Sequence, residues 1–99
     1  MSIVHINENE FNEKIKSDLI LVDFYADWCG PCKMLGPVLE QIDTVEIVKV
    51  NVDENQNLAR NLGIMSIPTL MIYNKGVQKA TRLGFAPKDE LLKWIEENK

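Results

Sequence analysis

The segment Leu19–Ala26 limits the possible folds more than any other part of the chain. Read as an extended strand, it is apolar on both faces except at Asp23. A strand with two apolar faces is typical of the middle of a parallel sheet that is covered on both sides. The segment therefore predicts a central strand with structure packed on either side of it.

Short helix and strand patterns fill the rest of the chain, without internal repeats or low-complexity segments. Asn7 and Glu10 have the spacing of a capping box, which predicts the start of a helix. Asn55 is predicted to cap a short helix that ends at Gly63. The predicted strands are Ile3–Ile6, Leu19–Ala26, Ile47–Asp53, Thr69–Tyr73 and Val77–Leu83, and the predicted helices run from Asn7 to about Ser17, from Pro31 to Ile42, around Leu58 and Leu62, and over Asp89–Glu97.

The order of these elements is β-α-β-α-β-α-β-β-α. Alternating strands and helices indicate parallel strands with right-handed crossovers, and the turn Asn74-Lys75-Gly76 adds a late antiparallel hairpin. The predicted fold class is α/β, with a central mixed sheet of about five strands flanked by four helices. A length of 99 residues is that of one domain, and we expect residues 1–99 to form it.

Charge and hydropathy exclude several classes of function. The chain has 11 Lys and Arg against 15 Asp and Glu, a net charge of −4 without a basic cluster, which argues against nucleic-acid binding. No apolar run approaches the roughly 18 residues that span a bilayer. The first residues lack the basic and apolar regions of a signal peptide, so we expect a cytoplasmic protein without membrane association.

Cys29 and Cys32 are the only cysteines, and they lie where the central strand gives way to a helix. Residues three apart on a helix have Cβ atoms about 5–6 Å apart, whereas a disulfide needs about 3.5–4.5 Å. A slightly tightened first turn therefore permits the bond without demanding it, as a reversible dithiol–disulfide couple requires. The spacing predicts redox chemistry.

Position on the helix predicts different roles for the two sulfur atoms. Cys29 would lie at the positive end of the helix dipole, among free N–H groups, which favours its thiolate as the nucleophile. Cys32, one turn in, is expected to be more buried and to resolve the mixed disulfide. Pro31 supplies a fixed φ that suits a first turn.

Two alternatives to redox chemistry remain for the cysteine pair. Cys29 and Cys32 could be half of a structural zinc site, although such sites need four ligands and His5 is the only histidine. They could also be an inert pair of core cysteines. No metal site is predicted.

With these features the chain resembles the thioredoxin family, from about Phe11 to Trp94. Each matching stretch by itself is moderately specific for the family. Together, in this order, the stretches make the resemblance strong. The stretches are Val22–Met34 with its Trp-Cys-Gly-Pro-Cys motif, Lys49–Asp53, Gly63-Ile64, Ile67–Leu70 and Gly84.

The resemblance implies a proton-transfer pair behind the cysteines. Asp23 matches the family's buried acid, which exchanges a proton with the resolving thiol, here Cys32. Burial should raise the pKa of Asp23. Lys49 matches the family's partner lysine for that acid.

The resemblance also implies a substrate-binding surface around Cys29. The Ile67–Pro68 peptide is expected to be cis, and an extended Ile67 backbone could pair with a bound substrate strand. Specificity would then be loose, because main-chain groups are common to all proteins. The expected apolar rim consists of Trp28, Gly30, Pro31, Ile67, Pro68 and Gly84.

The activity implied is that of a general protein-disulfide reductant. Its partners would be disulfide-containing client proteins and a thioredoxin reductase, a flavoprotein; the chain itself would need no cofactor and would be a monomer. Tyr25 stands where many family members have Trp, and Ser66 where Gly is frequent. These differences affect the expected choice of partners rather than the chemistry.

Three other functions fit the sequence less well than this one. An oxidant or isomerase on the same fold is disfavoured by the Gly30-Pro31 dipeptide and the missing signal peptide. A glutaredoxin-like enzyme is disfavoured by Trp28 and by the lack of a Gly-Gly pair after the strand that follows Pro68. A redox-inactive binding module that docks through Trp28 is disfavoured by the two intact cysteines.

Overall fold

The computed structural model describes residues 3–99, whose elements follow the predicted order. The strands are β1 (Val4–His5), β2 (Ile20–Tyr25), β3 (Glu46–Asn51), β4 (Thr69–Asn74) and β5 (Val77–Leu83). The helices are α1 (Glu8–Lys14), α2 (Gly30–Glu40), α3 (Gln56–Asn61) and α4 (Lys88–Glu97).

The five strands form one mixed sheet in the order β1-β3-β2-β4-β5. β1, β3 and β2 are parallel, whereas β4 pairs with β2 and with β5 in antiparallel fashion. The predicted α/β class and the mixed five-stranded sheet are therefore confirmed. β2 is central, as its two apolar faces predicted, and the cysteine motif follows directly from its carboxyl end.

Each face of the sheet carries its own hydrophobic core. We call them the α1/α3 face and the α2/α4 face, after the helices that cover them. Side chains alternate along a strand, so Asp23 belongs to the α2/α4 face together with Leu21. The buried apolar residues are Ile6, Phe11, Ile20, Val22, Phe24, Val48, Val50, Met71 and Tyr73 on the α1/α3 face, and Leu21, Leu35, Leu39, Ile42, Val45, Ile47, Leu70, Ile72, Ala86, Leu91 and Ile95 on the α2/α4 face.

The predicted capping box of α1 is present. The Asn7 side chain accepts from the backbone of Glu10 at 3.1 Å, and the Glu10 side chain accepts from the backbone N–H of Asn7 at 2.9 Å. The helix ends at Lys14 rather than at about Ser17. After Lys14 the backbone continues as a turn, and the carbonyls of Ile15 and Ser17 accept from the backbone N–H groups of Gly76 and Lys75, both at 2.8 Å, which ties this segment to the β4–β5 turn.

Asn55 is the N-cap residue of α3, as predicted, but its side chain makes no capping hydrogen bond. Its side chain is buried and bonds elsewhere: Oδ1 accepts from the backbone N–H of Glu8 at 2.8 Å, and Nδ2 donates to the carbonyl of Asn51 at 2.9 Å. The Glu8 carboxylate instead accepts from the backbone N–H of Leu58, in the first turn of α3, at 3.3 Å. A residue from α1 therefore supplies the cap of α3.

Candidate active site

The cysteine pair lies where the loop after β2 enters α2. Cys29 is the N-cap residue with an extended backbone, and Cys32 lies in the first turn, after Gly30 and Pro31. The two cysteines form a disulfide whose Cα atoms are 5.2 Å apart, within the usual range. The prediction that a first helical turn permits this bond is confirmed.

The start of α2 favours a negative charge on Cys29. The backbone N–H of Cys32 donates to Cys29 Sγ at 3.2 Å, so the sulfur occupies the usual place of a capping oxygen. The first turn of α2 carries no acidic side chain that would offset the positive end of the helix dipole. In the reduced protein, both effects stabilise a thiolate at Cys29.

Burial does not separate the two cysteines. Each is 4% exposed in the disulfide form, so the expectation that Cys32 is the more deeply buried of the two is wrong for this state. The loop before β4 covers Cys29, whose Sγ lies 3.7 Å from the carbonyl oxygen of Ile67. The two sulfur atoms differ instead by their places at the N-cap and within the first turn.

The loop beside the disulfide has the conformation that the family resemblance implied. The Ile67–Pro68 peptide is cis. Gly84, directly after β5, donates its backbone N–H to the carbonyl of Pro68 at 2.9 Å and has φ +85°, a conformation that favours glycine. Ile67, Pro68 and Gly84 therefore lie on one side of Cys29, and Gly30 and Pro31 begin α2 on the other.

Trp28 is 70% exposed, yet its indole has a fixed partner. The indole N–H donates to the carboxylate of Asp53 at 2.8 Å, and the backbone N–H of Asp53 donates in turn to the side chain of Asn51 at 2.9 Å. Asp53 was not among the predicted site residues. The signal available was its place just after β3, because β2 and β3 are adjacent and parallel and their carboxyl ends meet at one edge of the sheet.

A mostly apolar groove of about 590 Å³ extends from Trp28 to α3, and we call it the Trp28 groove. Met65, on the loop between α3 and Pro68, is 95% exposed beside it. Met65 was not predicted as a lining residue, since a single apolar side chain in a loop has no periodicity, and neither was Arg60, a charged residue of α3. The lining residues are Trp28, Val52, Gln56, Ala59, Arg60, Gly63, Ile64, Met65, Ser66 and Ile67.

Asp23 and Lys49 are opposite one another on β2 and β3, on the α2/α4 face. The carboxylate of Asp23 is fully buried, and Lys49 Nζ lies 3.8 Å from its Oδ2, an ion pair longer than a hydrogen bond. Within residues 3–99 neither carboxyl oxygen has a hydrogen-bond partner. Burial raises the pKa of Asp23 from 3.8 to about 6, and the positive charge of Lys49 offsets part of that rise.

Residues 3–99 contain neither a helix suited to crossing a membrane nor a cluster of metal-binding side chains. No helix in this range is long and apolar enough to cross a membrane. The same range has no group of three or more His, Cys, Asp or Glu side chains that could hold a metal ion.

Comparison with known proteins gives one family over nearly the whole chain. The family model described as Thioredoxin matches residues 2–97. Thioredoxin from Rickettsia felis is 43% identical over 101 residues, covering 95% of this chain and 96% of that protein. Thioredoxin from Bacillus subtilis strain 168 is 42% identical over 103 residues, covering 99% of each.

Solved structures agree with these relatives. The structure of a mutant thioredoxin from Halobacterium salinarum NRC-1 matches with a TM-score of 0.89 and 36% identity, covering 98% of this chain and 90% of that one. Thioredoxin from Malassezia sympodialis matches with a TM-score of 0.85 and 34% identity, covering 99% and 94%. With the Cys29–Cys32 pair at the start of α2, these findings show that the chain belongs to the thioredoxin family and is a thiol–disulfide oxidoreductase.

Proposed function

We propose that the chain is a general reductant of disulfides in other proteins and that a flavoprotein thioredoxin reductase restores its dithiol. The observation that carries the proposal is the Cys29–Cys32 disulfide at the start of α2, beside an apolar groove. The pair of sulfur atoms itself carries two electrons, so the reaction needs no bound cofactor.

The proposed reaction begins with attack by the Cys29 thiolate on one sulfur atom of a client disulfide. A mixed disulfide forms, and the first client sulfur leaves as a thiolate that takes up a proton. Cys32 then loses its proton and attacks Cys29 Sγ, which releases the second client sulfur. The client gains two electrons and two protons, and the pair becomes the disulfide seen in the structure.

Asp23 and Lys49 are proposed to manage the proton of Cys32. A carboxyl with a pKa of about 6 is mostly ionised at neutral pH, but it can accept and return a proton there without a large free-energy difference. The ammonium group of Lys49, 3.8 Å away, stabilises the ionised form of Asp23 whenever the proton leaves.

Client proteins are proposed to bind across the rim around Cys29. The carbonyl of Ile67, 3.7 Å from Cys29 Sγ, is placed to meet an extended client backbone, which gives affinity with little side-chain selection. The Trp28 groove adds an apolar surface beside it. The proposed rim consists of Trp28, Gly30, Pro31, Ile67, Pro68 and Gly84.

We further propose that residues 1–99 act as one domain, as a monomer in the cytoplasm, without binding nucleic acid or membrane. The net charge of −4 supports the proposal on nucleic acid, because a phosphate backbone repels an acidic protein. Size supports the proposal of a monomer, since 99 residues are enough for the two cores that cover the sheet.

The equilibrium potential of the Cys29–Cys32 pair tests the proposed direction of electron flow. It is measured by alkylation and mass spectrometry after equilibration in dithiothreitol buffers. We expect a strongly reducing value; thioredoxin is itself a reference protein for this scale, so the expectation follows from the family. A value about 100 mV or more above the thioredoxin range would indicate an oxidant instead.

Replacing both Cys29 and Cys32 with Ser separates a redox role from a docking role. Reduction of a disulfide-linked peptide should stop, whereas Trp28 and its groove are untouched. Retention of a cellular activity in this double variant would contradict the proposed role as a reductant. It would favour a redox-inactive module that binds partners through Trp28.

A further inference from the structure

Four polar side chains lie together on the α2/α4 face, next to the edge of the sheet. His5 on β1 and Asp23 on β2 are both in register with Lys49 on β3, so the three form one row. Tyr25 is two residues beyond Asp23 and therefore faces the same way. Neighbours on one face of a sheet are within reach of one another, diagonal neighbours included when the side chains are long.

Lys49 has two partners in this group. Its ammonium lies 3.8 Å from Asp23 Oδ2 and 4.5 Å from the centroid of the Tyr25 ring. A lysine side chain is a flexible four-carbon stem, and its ion pair with Asp23 is too long to be a hydrogen bond. The aromatic face attracts the cation and limits where it can go.

Tyr25 is itself held in place by His5. The Tyr25 hydroxyl lies 3.0 Å from His5 Nδ1, and the two rings meet edge to face with centroids 5.7 Å apart. His5 is the only histidine in the chain, and it lies on a strand of two exposed residues. The contact with His5, which lies at the end of the row, thus orients the ring of Tyr25 over Lys49.

A cleft of about 470 Å³ brings this group to the resolving cysteine, since Cys32, Lys49, Tyr25 and His5 all line it. A proton that leaves Cys32 toward solvent on this side passes these side chains. The charged or titratable groups that line the clefts beside Lys49 and Tyr25 or pair with Lys49 are His5 from β1, Glu10 from α1, Asp23 from β2, Asp27 from the following loop, Cys32 and Lys33 from α2, and Glu54 from the loop after β3.

We propose that Tyr25, held by His5, is a positioning residue that keeps the Lys49 ammonium against the Asp23 carboxyl while Cys32 resolves the mixed disulfide. The inference rests on the proposed proton-transfer role of Asp23. Without the aromatic ring, Lys49 can extend into the cleft and be hydrated there. The ionised form of Asp23 then loses its counter-charge, and Asp23 holds its proton to a higher pH.

A titration of the Asp23 carboxyl by ¹³C NMR tests the proposal. The oxidised protein is used because its disulfide cysteines do not titrate, so Cys32 cannot distort the curve. We expect Tyr25→Leu to raise the midpoint by about half a pH unit, the size of one cation–π contact. Tyr25→Phe, which keeps the ring but loses the bond to His5, should raise it less.

Two further variants calibrate the titration. Lys49→Met removes the counter-charge itself and should give the largest upward shift of the Asp23 midpoint. Tyr73→Phe removes a hydroxyl from a tyrosine on the α1/α3 face, and it should leave the midpoint unchanged. Denaturation midpoints of all variants identify any variant that fails to fold, and Tyr25→Phe then replaces Tyr25→Leu in the comparison.

Equal midpoints in wild type and Tyr25→Leu, with a shift in Lys49→Met, would overturn the role of Tyr25. An unchanged midpoint in Lys49→Met would overturn it as well, because Lys49 would then not act on Asp23. The proposed role of Asp23 is tested separately, by the rate at which Asp23→Asn resolves a mixed disulfide. An unchanged rate would contradict proton transfer by Asp23 and leave the titration result standing.

Discussion

Val22 and Phe24 project from β2 toward the α1/α3 face, whereas Leu21 and Asp23 project toward the α2/α4 face, and all four residues are 0% exposed. Along β2 the first face carries only apolar side chains, whereas the second carries the Asp23 carboxyl, with Lys49 as its neighbour on β3. Equal burial therefore has opposite consequences on the two faces. For a phenylalanine, burial contributes about 1.5–3 kcal/mol of stability.

For Asp23, burial is unfavourable whenever the carboxyl is ionised. A rise of its pKa from 3.8 to about 6 corresponds to a cost of about 3 kcal/mol at neutral pH. The apolar packing around β2 therefore does two things at once. It stabilises the sheet, and it keeps one carboxyl in the environment that gives it a proton affinity near neutrality.

Phe24→Ala should have the largest effect on stability, because it removes a buried apolar side chain from the α1/α3 face. Phe24 is fully buried and packs against Phe11 with ring centroids 6.1 Å apart. The cavity left behind should lower the free energy of unfolding by about 3–5 kcal/mol. Urea denaturation measures the loss. Phe85→Ala, at a phenylalanine that is 41% exposed, is the control and should cost much less.

Asp23→Asn should increase the stability of the protein rather than reduce it. The increase should appear only where the pH is high enough for the wild-type carboxyl to ionise. Between about pH 3.8 and 6 the folded protein binds more protons than the unfolded chain, so wild-type stability falls as the pH rises through this range. The variant has no carboxyl at this position, so its stability does not fall in this way. At pH 7 it should therefore be more stable than wild type by about 2–3 kcal/mol.

Unfolding curves recorded at pH 3.5 and pH 7 check the predicted pH dependence. The gain in Asp23→Asn should largely disappear at pH 3.5, because the wild-type carboxyl is protonated in the folded protein and mostly protonated in the unfolded chain. Asp18→Asn, at a side chain that is 88% exposed, should show no such difference. A gain of equal size at both pH values would mean that ionisation of Asp23 is not its cause.

Asp53→Ala is expected to have the smallest effect, on client binding rather than on either core. It removes the acceptor 2.8 Å from the Trp28 indole, and losing one such bond should weaken client docking by about 1 kcal/mol, or roughly fivefold. Single-turnover reduction of a disulfide-linked peptide at increasing peptide concentrations measures the change. Asp53→Asn keeps an acceptor and should recover most of the lost client affinity. Equal losses in both variants would mean that docking depends on the negative charge of Asp53 rather than on the hydrogen bond.

Local patterns were sufficient to predict most of the fold. The capping box of Asn7 and Glu10, the two apolar faces of β2 and the hairpin turn each depend on residues close in sequence, and all were confirmed. The cysteine pair was predictable for the same reason, since its two members share one helical turn. Asp23 was visible as a single charge in an apolar strand.

Contacts between distant elements were not predictable in this way. Trp28 and Asp53 are 25 residues apart, and their hydrogen bond exists because β2 and β3 are adjacent and parallel. Asn55 has the sequence pattern of a cap, but the packing of α1 beside α3 gives its side chain a different partner. The equal burial of Cys29 and Cys32 likewise depends on the distant loop at Ile67.

The cap that Glu8 provides makes α3 depend on α1. α3 has six residues, none of them fully buried, and a helix this short gains little from its own hydrogen bonds. It also forms one wall of the Trp28 groove. Local opening of α1 would withdraw Glu8 and loosen that wall. The cooperative unit that keeps the groove in shape therefore includes a helix on the amino-terminal side of the catalytic motif. Client affinity is thermodynamically linked to the order of that segment.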